Sequence, residues 1–376
     1  MRVFVIAGEA SGDKLGAALM AGLSGLTDVT FDGVGGPLMA EQGFVSRFPM
    51  DELSVMGLAE ILPKYHALKA RVHQMAQVVL GSKPDVLITI DSPDFCLRVA
   101  TLVKAGSDIR CVHYVAPTVW AWRPKRAAKM ARHIDQVLAL FPFEPPLMQA
   151  AGMRCDFVGH PVVTDPIASP LEAAAWDGDG PLVMLLPGSR RGEIARLLPR
   201  FGQAAALIAQ ARADVRFALP TTANVYDGVV AGVAEWDVPV SVLDADQKDE
   251  KRGLFAAADV ALAASGTVSL ELAANDTPMV IAYDMAWLSR TIISRLLLVD
   301  TVTLVNLVSD SRVIPEFVGK DCVAAPIAAA ILSVLDDPTA QHAAMSDTMD
   351  KLGRGGDAPG VRAARAVLDG LSDAHQ

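Results

Sequence analysis

The chain has 376 residues, of which 52% are hydrophobic and 20% charged, and its formal net charge is −10 at pH 7. A chain of this length and hydrophobic content buries a large core and is expected to form two domains, which excludes a disordered or fibrous protein. The acidic balance argues against a nucleic-acid-binding protein, because such proteins carry basic patches that neutralise phosphates. The four cysteines lie far apart without the paired spacing of a zinc or redox site, so we expect reduced thiols and no metal.

The amino-terminal apolar run, residues 3–7, is too short for a secretory signal and leads into a glycine turn instead of a cleavage site. The sequence also lacks the ~18 uncharged apolar residues in a row that a membrane-spanning helix needs. We therefore expect a cytoplasmic protein that can rest on a membrane surface.

Short β-rich runs alternate with segments of helical periodicity in both halves of the chain. In the first half the runs are 3–7, 29–34, 85–90, 109–115 and 136–141. In the second half they are 182–186, 215–219, 238–243, 260–263 and 279–282. This alternation predicts an α/β protein with parallel sheets covered by helices, in two Rossmann-like domains that face a cleft.

The segment 165–181 is rich in Pro, Ala, Asp and Gly and contains no clear strand, so we place the domain boundary there. The prediction is an N-terminal domain of residues 1–165 and a C-terminal domain of residues 166–350. Residues 351–376 are expected to form a helix that packs back on the N-terminal domain or on a partner subunit.

Asp91 follows a buried strand, beside a proline that ends the strand. A carboxylate at the carboxyl end of a parallel strand opens into the ligand crevice, where it can take a proton from a hydroxyl. The alternative is that Asp91 caps the helix that begins near Asp94, and the local sequence favours neither interpretation. The turn at residues 8–13 follows the first strand and predicts a site at the same edge.

Two glycine turns in the second half each follow a strand and open a helix. The first contains Gly188, Ser189 and Arg190, and the second contains Ser265, Gly266 and Thr267. Helix-start N–H groups beside such side chains suit a phosphate or diphosphate, although the first turn is not a Walker loop. Glu271 lies one helical turn beyond the second glycine turn and could accept hydrogen bonds from a ribose diol. The alternative is that all three features are helix caps, but their combination favours a nucleotide diphosphate.

Six segments together resemble the lipid A disaccharide synthase family. They are residues 8–13 (Gly-Glu-Ala-Ser-Gly-Asp), 54–60, 91–95, 113–123 with its Trp-Ala-Trp, 186–190 and 265–267. The resemblance runs collinearly from residue 2 to about residue 350. It implies an inverting GT-B glycosyltransferase without cofactor that condenses UDP-2,3-diacylglucosamine with 2,3-diacylglucosamine 1-phosphate. The implied products are the β-1,6-linked lipid A disaccharide 1-phosphate and UDP.

The family's functional positions carry over to this sequence residue by residue. Asp91 matches the position of the catalytic base. The acceptor-side positions are Glu9, Ser11 and Gly12, in the N-terminal domain. Arg190 and Asn306 match donor-site positions in the C-terminal, UDP-sugar-binding domain. The resemblance further implies peripheral association with the inner face of the inner membrane and allows a homodimer.

Two segments are candidates for contact with a membrane surface. The first, residues 56–71, is amphipathic and mixes cations with the apolar residues Met56, Leu58, Ile61, Leu62 and Tyr65. The second contains Trp120 and Trp122 next to a basic stretch, where aromatic rings could lie at headgroup depth. The alternative in both cases is packing in the protein core.

Other functions share this architecture. A UDP-N-acetylglucosamine-dependent epimerase would bind UDP in the same domain but would act on a single soluble sugar. A transferase that adds N-acetylglucosamine to a polyprenyl-linked precursor shares the fold and the donor type. A two-lobed sugar-binding protein is the alternative from another class, but it gives no reason for a carboxylate at the cleft.

Overall fold

A parallel six-stranded sheet forms the core of each of the two units into which the chain divides. The structure, a computed structural model, describes residues 1–53, 58–285 and 298–373, and of residues 58–65 it describes the backbone alone. The first unit contains Met1–Thr164 and Gly355–Gln376, and the second contains Asp165–Arg354. The acceptor and donor roles of the two domains stay predictions.

The first unit contains six short strands, and the central ones are apolar and buried. They are β1 (Arg2–Ala7), β2 (Thr30–Val34), β3 (Val86–Ile90), β4 (Arg110–Tyr114), β5 (Gln136–Ala139) and β6 (Arg154–Phe157). Their order in the sheet is β2-β1-β3-β4-β5-β6, and neighbouring strands are parallel. The order therefore reverses once, between β1 and β3. Every residue of β3 is buried, as expected for a central strand covered by helices on both sides.

The helices around this sheet bury apolar side chains against it. They are α1 (Ala10–Leu26), α2 (Pro37–Glu41), α3 (Leu58–Ser82), α4 (Pro93–Gly106), α5 (Lys125–Met130) and α6 (Pro145–Gln149). Val79 of α3 and Val99 of α4 are fully buried in the same cluster as Leu87 of β3.

The second unit repeats the arrangement. Its strands are β7 (Leu182–Leu186), β8 (Arg216–Pro220), β9 (Ser241–Leu243), β10 (Val260–Ala263), β11 (Met279–Tyr283) and β12 (Glu316–Val318). Their order is β12-β11-β10-β7-β8-β9, again parallel throughout, and it reverses between β7 and β10. The described helices are α7 (Pro170–Ala174), α8 (Arg191–Ala211), α9 (Tyr226–Val233), α10 (Lys248–Ala257), α11 (Val268–Ala274), α12 (Leu304–Ser309), α13 (Ala324–Asp336) and α14 (Thr339–Lys351).

The last helix, α15 (Pro359–Asp373), belongs to the first unit, where it packs against α1. The two backbones approach closely, because a Cβ atom on Gly360 would lie 2.4 Å from the carbonyl oxygen of Ala18. Gln136 of β5 donates a hydrogen bond to the Ala366 carbonyl at 2.7 Å, and Arg362 donates to the Phe157 carbonyl at 2.9 Å. The end of the described chain is thereby fixed to the sheet at which the chain begins.

The predicted α/β fold with parallel sheets is confirmed. Each predicted β-rich run overlaps an observed strand, but β6 and β12 were not predicted. Both lie at an edge of their sheet and have polar or charged residues instead of an apolar run, so periodicity gives no signal there.

Candidate active site

The turns after β1 and β3 meet at the point where the strand order of the first sheet reverses. Ligand sites form at such points in open α/β sheets, because the loops from the two strands lead away in opposite directions and leave a crevice. Gly8 and Glu9 follow β1, and Asp91 and Ser92 follow β3. A Cβ atom on Gly8 would lie 2.4 Å from the Ser92 hydroxyl oxygen, so the approach of the two turns requires glycine at this position.

The carboxylate of Asp91 is half-buried and accepts hydrogen bonds on both oxygens. Oδ1 accepts from the backbone N–H of Ser92 at 2.9 Å, and Oδ2 accepts from the Ser11 hydroxyl at 3.4 Å. A carboxylate has about four acceptor sites, so lone pairs remain for a substrate hydroxyl. The N-cap residue of α4 is Ser92, so Asp91 lies one position too early to be the cap that the sequence left as an alternative.

The backbone around Asp91 is strained. Asp91 has φ = 51°, Ser92 has φ = 41°, and Val115, which follows the neighbouring strand β4, has φ = 81°. Positive φ is uncommon outside glycine and is a genuine outlier for a β-branched residue. Such conformations cluster at functional sites, where the surrounding structure enforces them. The strained backbone at this edge of the sheet therefore supports a ligand-binding or catalytic site there.

The three predicted acceptor-side residues lie in different surroundings. Glu9 is the N-cap residue of α1 and lines a cavity of about 300 Å³ next to the turn after β3. Ser11 is exposed and reaches Asp91. Gly12 is buried, and a Cβ atom on it would lie 3.4 Å from the carbonyl oxygen of Ile90. Contact between Gly12 and the acceptor stays a prediction.

Asp13, the last residue of the turn at residues 8–13, has a structural role. Its side chain is 2% exposed and accepts backbone N–H groups of Gly36, Leu38 and Met39 at 2.8, 2.9 and 3.0 Å. These N–H groups belong to the start of α2 and have no partner within that helix. Asp13 therefore caps α2 from α1. The local sequence does not show this cap, because Asp13 precedes Gly36 by 23 residues in the chain.

Of the two tryptophans predicted to face a membrane, Trp120 has protein partners. Its ring meets those of Phe141 and Phe143 edge-on, with centroids 6.4 and 5.3 Å away, and its indole N–H donates to Glu144 at 3.3 Å. The half-buried ring thus packs against the segment after β5. Contact with lipid stays a prediction for both tryptophans. Trp122 donates to the Thr118 hydroxyl, and the Arg123 guanidinium lies 4.1 Å from the centroid of its ring.

Burial shifts the pKa of three groups near this edge of the first sheet. Burial raises the pKa of Glu144 to about 7, although N–H groups of Phe141, Trp120 and Leu140 oppose the shift. Burial lowers the pKa of His113 and of His160 to about 4, so both imidazoles stay neutral at pH 7. His113 is hydrogen bonded through Nδ1 to the Thr89 hydroxyl at 2.8 Å.

In the second unit, the turns after β7 and β10 line one cavity of about 490 Å³ at the switch point of that sheet. Its lining includes seven residues predicted for the donor site: Gly188, Ser189, Arg190, Ser265, Gly266, Thr267 and Glu271. The alternative that these residues are helix caps is not supported, because the N-cap residues Arg190 of α8 and Thr267 of α11 make no capping hydrogen bond through their side chains. Helix α11 has only seven residues, so the macrodipole at its start is small.

Arg190 is the main cation of this cavity. Its side chain is 65% exposed, and Nη1 donates to Glu193 at 3.0 Å. Glu193 is buried and also accepts from the Tyr283 hydroxyl at 3.4 Å. This carboxylate orients the guanidinium, which has five N–H donors and so retains several for a ligand.

The lining of this cavity also includes residues that were not predicted. Among them are Thr221 and Thr222 after β8, and Lys251 and Phe255 of α10. The rule that pointed to Asp91, polar residues at the carboxyl end of a buried strand, also applies to the two threonines. The rule does not apply to Lys251 and Phe255, because they lie within α10 and not at the end of a strand. The local sequence therefore gives no reason to expect them at this cavity.

Asn306, the remaining predicted donor residue, does not line this cavity. It lies in α12 and is 1% exposed; its amide donates to the Ile314 carbonyl at 3.0 Å and accepts from the Ile314 N–H at 3.1 Å. These bonds tie α12 to the segment before β12. A direct contact between Asn306 and the donor stays a prediction.

The predicted membrane-facing segment is only partly described. Met56 lies outside the described residues, and Leu58, Ile61, Leu62 and Tyr65 lie in α3 where only the backbone is described. Among the described residues, no helix is long and apolar enough to cross a bilayer.

Two α/β units with parallel sheets, each with a cavity at its switch point, define the class of GT-B proteins. Solved structures with this fold include the UDP-GlcNAc 2-epimerase of Neisseria meningitidis bound to UDP-GlcNAc, at a TM-score of 0.64 and 11% identity over 99% of this chain and 100% of that chain. The MurG structure of Acinetobacter baumannii matches at a TM-score of 0.54 and 13% identity over 99% of both chains. Identities this low show the fold alone.

The chain belongs to the lipid-A-disaccharide synthetase family, whose model matches residues 3–358. The lipid-A-disaccharide synthase of Ruegeria pomeroyi is 59% identical over 99% of this chain and 96% of that protein. The enzyme of the same name from Rhodospirillum centenum is 44% identical over 98% of this chain and 94% of that protein. Membership makes the chain a glycosyltransferase of lipid A disaccharide synthesis, and the family's reaction uses a UDP-sugar donor and a sugar-phosphate acceptor. The epimerase is a structural neighbour only.

Proposed function

We propose that this chain transfers 2,3-diacylglucosamine from UDP to the 6-hydroxyl of 2,3-diacylglucosamine 1-phosphate. In this proposal the first unit binds the acceptor, the second unit binds the UDP-sugar, and Asp91 is the catalytic base. The observation that carries it is the cavity of about 490 Å³ in which both glycine turns of the second unit meet.

The donor part of the proposal is supported by the chemistry of that cavity. A nucleoside diphosphate needs hydrogen-bond donors for its phosphates, and Arg190, Ser189 and the first N–H groups of α8 supply them. Thr267 and Thr222 line the same cavity with hydroxyl groups, and Glu271 adds an exposed carboxylate suited to a ribose diol. A volume of about 490 Å³ lies within the range typical of small-molecule sites.

The catalytic part rests on the position of Asp91. Its carboxylate takes the proton of the acceptor 6-hydroxyl while that oxygen forms a bond to the anomeric carbon of the donor. The bond from this carbon to the diphosphate breaks on the opposite face, so the configuration inverts and UDP leaves. The negative charge that develops on the diphosphate is stabilised by Arg190 and by the N–H groups at the start of α8.

We also propose that the protein associates peripherally with the inner face of the inner membrane, because its substrates carry acyl chains. Support comes from the amphipathic sequence of residues 56–71 and from the exposed cations near Trp122. Replacing Ile61 and Leu62 by aspartate should lower binding to anionic vesicles more than it lowers the melting temperature. A loss of stability alone would indicate core residues. Homodimer formation is an expectation from the resemblance, and sedimentation velocity tests it.

The donor site is tested by Arg190→Gln, with Arg212→Gln at the other end of α8 as the matched control. Loss of one charge-assisted hydrogen bond to a diphosphate costs about 1.5–3 kcal/mol, so the Kd for UDP should rise at least about tenfold in the first variant. The control should bind UDP like the wild type, because Arg212 pairs with Asp214 outside the cavity. Equal UDP affinity in both variants, measured by calorimetry, would exclude this cavity as the donor site.

The reaction itself is tested with the purified protein and both acylated sugars. UDP and disaccharide should appear in equal amounts, and neither should form when the acceptor is omitted. Conversion of the UDP-sugar without acceptor would favour the epimerase alternative instead.

A further inference from the structure

The cavity of about 300 Å³ in the first unit is lined by two cations and lies next to the proposed catalytic base. It lies between α3 and α4, beside the turn after β3. Its apolar wall consists of Leu53, Leu68, Val72 and Phe95, and its polar lining includes Lys69, Arg98 and Ser92. An apolar wall excludes water and strengthens the electrostatic interactions of any ion bound there.

We propose that this cavity binds the phosphate group of the sugar-phosphate acceptor through Lys69 and Arg98. The proposal rests on the proposed function, since it assigns a subsite next to Asp91 to the end of the acceptor that does not react. Its first support is the state of the two cations. Within the described part of the chain, neither side chain has a carboxylate partner, whereas Arg47, Arg71 and Arg154 of the same unit are all in ion pairs.

The second support is the hydroxyl group of Ser92. This residue lines the cavity, is 9% exposed, and its Oγ has no hydrogen-bond partner among the described residues. Buried hydroxyl groups in folded proteins nearly always have a partner. An unsatisfied one in the residue after Asp91 therefore distinguishes this turn from ordinary packed structure.

The two cations that line the cavity suit an anion with two negative charges. The carboxylates of Glu9 and Asp94 also line it, and Arg126 lies 3.9 Å from Asp94 as a third cation. A phosphate monoester carries about −1.5 to −2 charges at pH 7, and arginine can bind it with two parallel hydrogen bonds. The ammonium group of lysine adds a compact positive charge next to this pair of hydrogen bonds. Because the UDP diphosphate has its own proposed cavity in the second unit, the acceptor phosphate is the substrate anion that remains for this site.

The test compares kcat/KM for two acceptors, the diacylglucosamine 1-phosphate and the same lipid without phosphate. The wild type should prefer the phosphorylated acceptor by at least about tenfold, the value of one good charge-assisted hydrogen bond. Arg98→Gln and Lys69→Gln should each lower this preference by about tenfold, mainly through KM, and leave UDP affinity unchanged. Arg98→Lys should recover part of the preference, because it keeps the positive charge but cannot form the two parallel hydrogen bonds of a guanidinium.

Lys83→Gln is the matched control, since it removes one exposed lysine just after the other end of α3. It should keep the preference of the wild type. The proposal is overturned if the wild type uses both acceptors equally, or if Arg98→Gln and Lys69→Gln retain the full preference. Failure of the proposed function gives a different result, the absence of disaccharide with either acceptor in the wild type.

Discussion

A substitution at Asp13 tests whether this residue of the turn at residues 8–13 stabilises the fold or takes part in the reaction. Asp13→Asn keeps the size of the side chain but removes its charge and replaces one acceptor oxygen by an N–H₂ group. The wild-type carboxylate is 2% exposed and accepts three backbone N–H groups at 2.8–3.0 Å. At least one of these donors loses its partner in the variant, and the others lose a charged acceptor.

A hydrogen bond to a charged group contributes about 1.5–3 kcal/mol, and a buried donor without a partner costs about 1–3 kcal/mol. We therefore expect Asp13→Asn to lower the free energy of unfolding by about 3 kcal/mol, a large part of the ~5–15 kcal/mol of a typical protein. Activity per folded molecule should stay within a few-fold of the wild type, because Asp13 faces α2 and not Asp91.

Urea unfolding followed by circular dichroism measures the stability, and initial rates at low temperature measure the activity. Asp108→Asn is the control, since it removes an exposed carboxylate of the same unit. If Asp13→Asn unfolded at the urea concentration of the wild type and yet had lost its turnover, the capping role would be refuted and a catalytic role indicated.

Two further predictions concern the dependence of stability on pH. The folded protein keeps the proton of Glu144 up to a pKa of about 7, whereas the unfolded chain releases it near 4.5, so ionisation destabilises the fold by about 3 kcal/mol as the pH rises between these values. Glu144→Gln should abolish this loss of stability at high pH. The prediction is contradicted if the urea midpoint changes between pH 5 and pH 8 by the same amount in the variant and in the wild type. His113 titrates in the opposite sense: the unfolded imidazole takes up a proton near 6.5 and the folded one only near 4, so stability falls as the pH falls through this window. His113→Gln should lose less stability than the wild type between pH 6.5 and pH 4, and an equal loss in thermal melts would refute the assignment.

Much of the fold follows from the sequence because its signals are local. A run such as residues 86–90 is apolar at nearly every position, and this is what a strand covered on both faces requires. The edge strands β6 and β12 lack that signal, since an edge strand is not covered in the same way.

The candidate sites follow from the sequence where the functional groups lie at strand ends. Asp91 and the two glycine turns of the second unit were found because polar residues directly follow apolar runs. Residues that reach a site from an element other than a strand end give no such signal, as Lys251 and Phe255 of α10 illustrate. The sequence also cannot show which residues of one motif have a structural role and which face a ligand: Asp13 caps α2, while Ser11 reaches Asp91.

The most direct test of the account is the rate of disaccharide formation by the Asp91→Asn variant. A general base contributes about 10²–10⁴-fold to a rate, so kcat should fall by at least about 100-fold. The Kd for UDP should stay unchanged, and Asp108→Asn should turn over like the wild type. Turnover of Asp91→Asn within a few-fold of the wild type would contradict the assignment of Asp91 as the base.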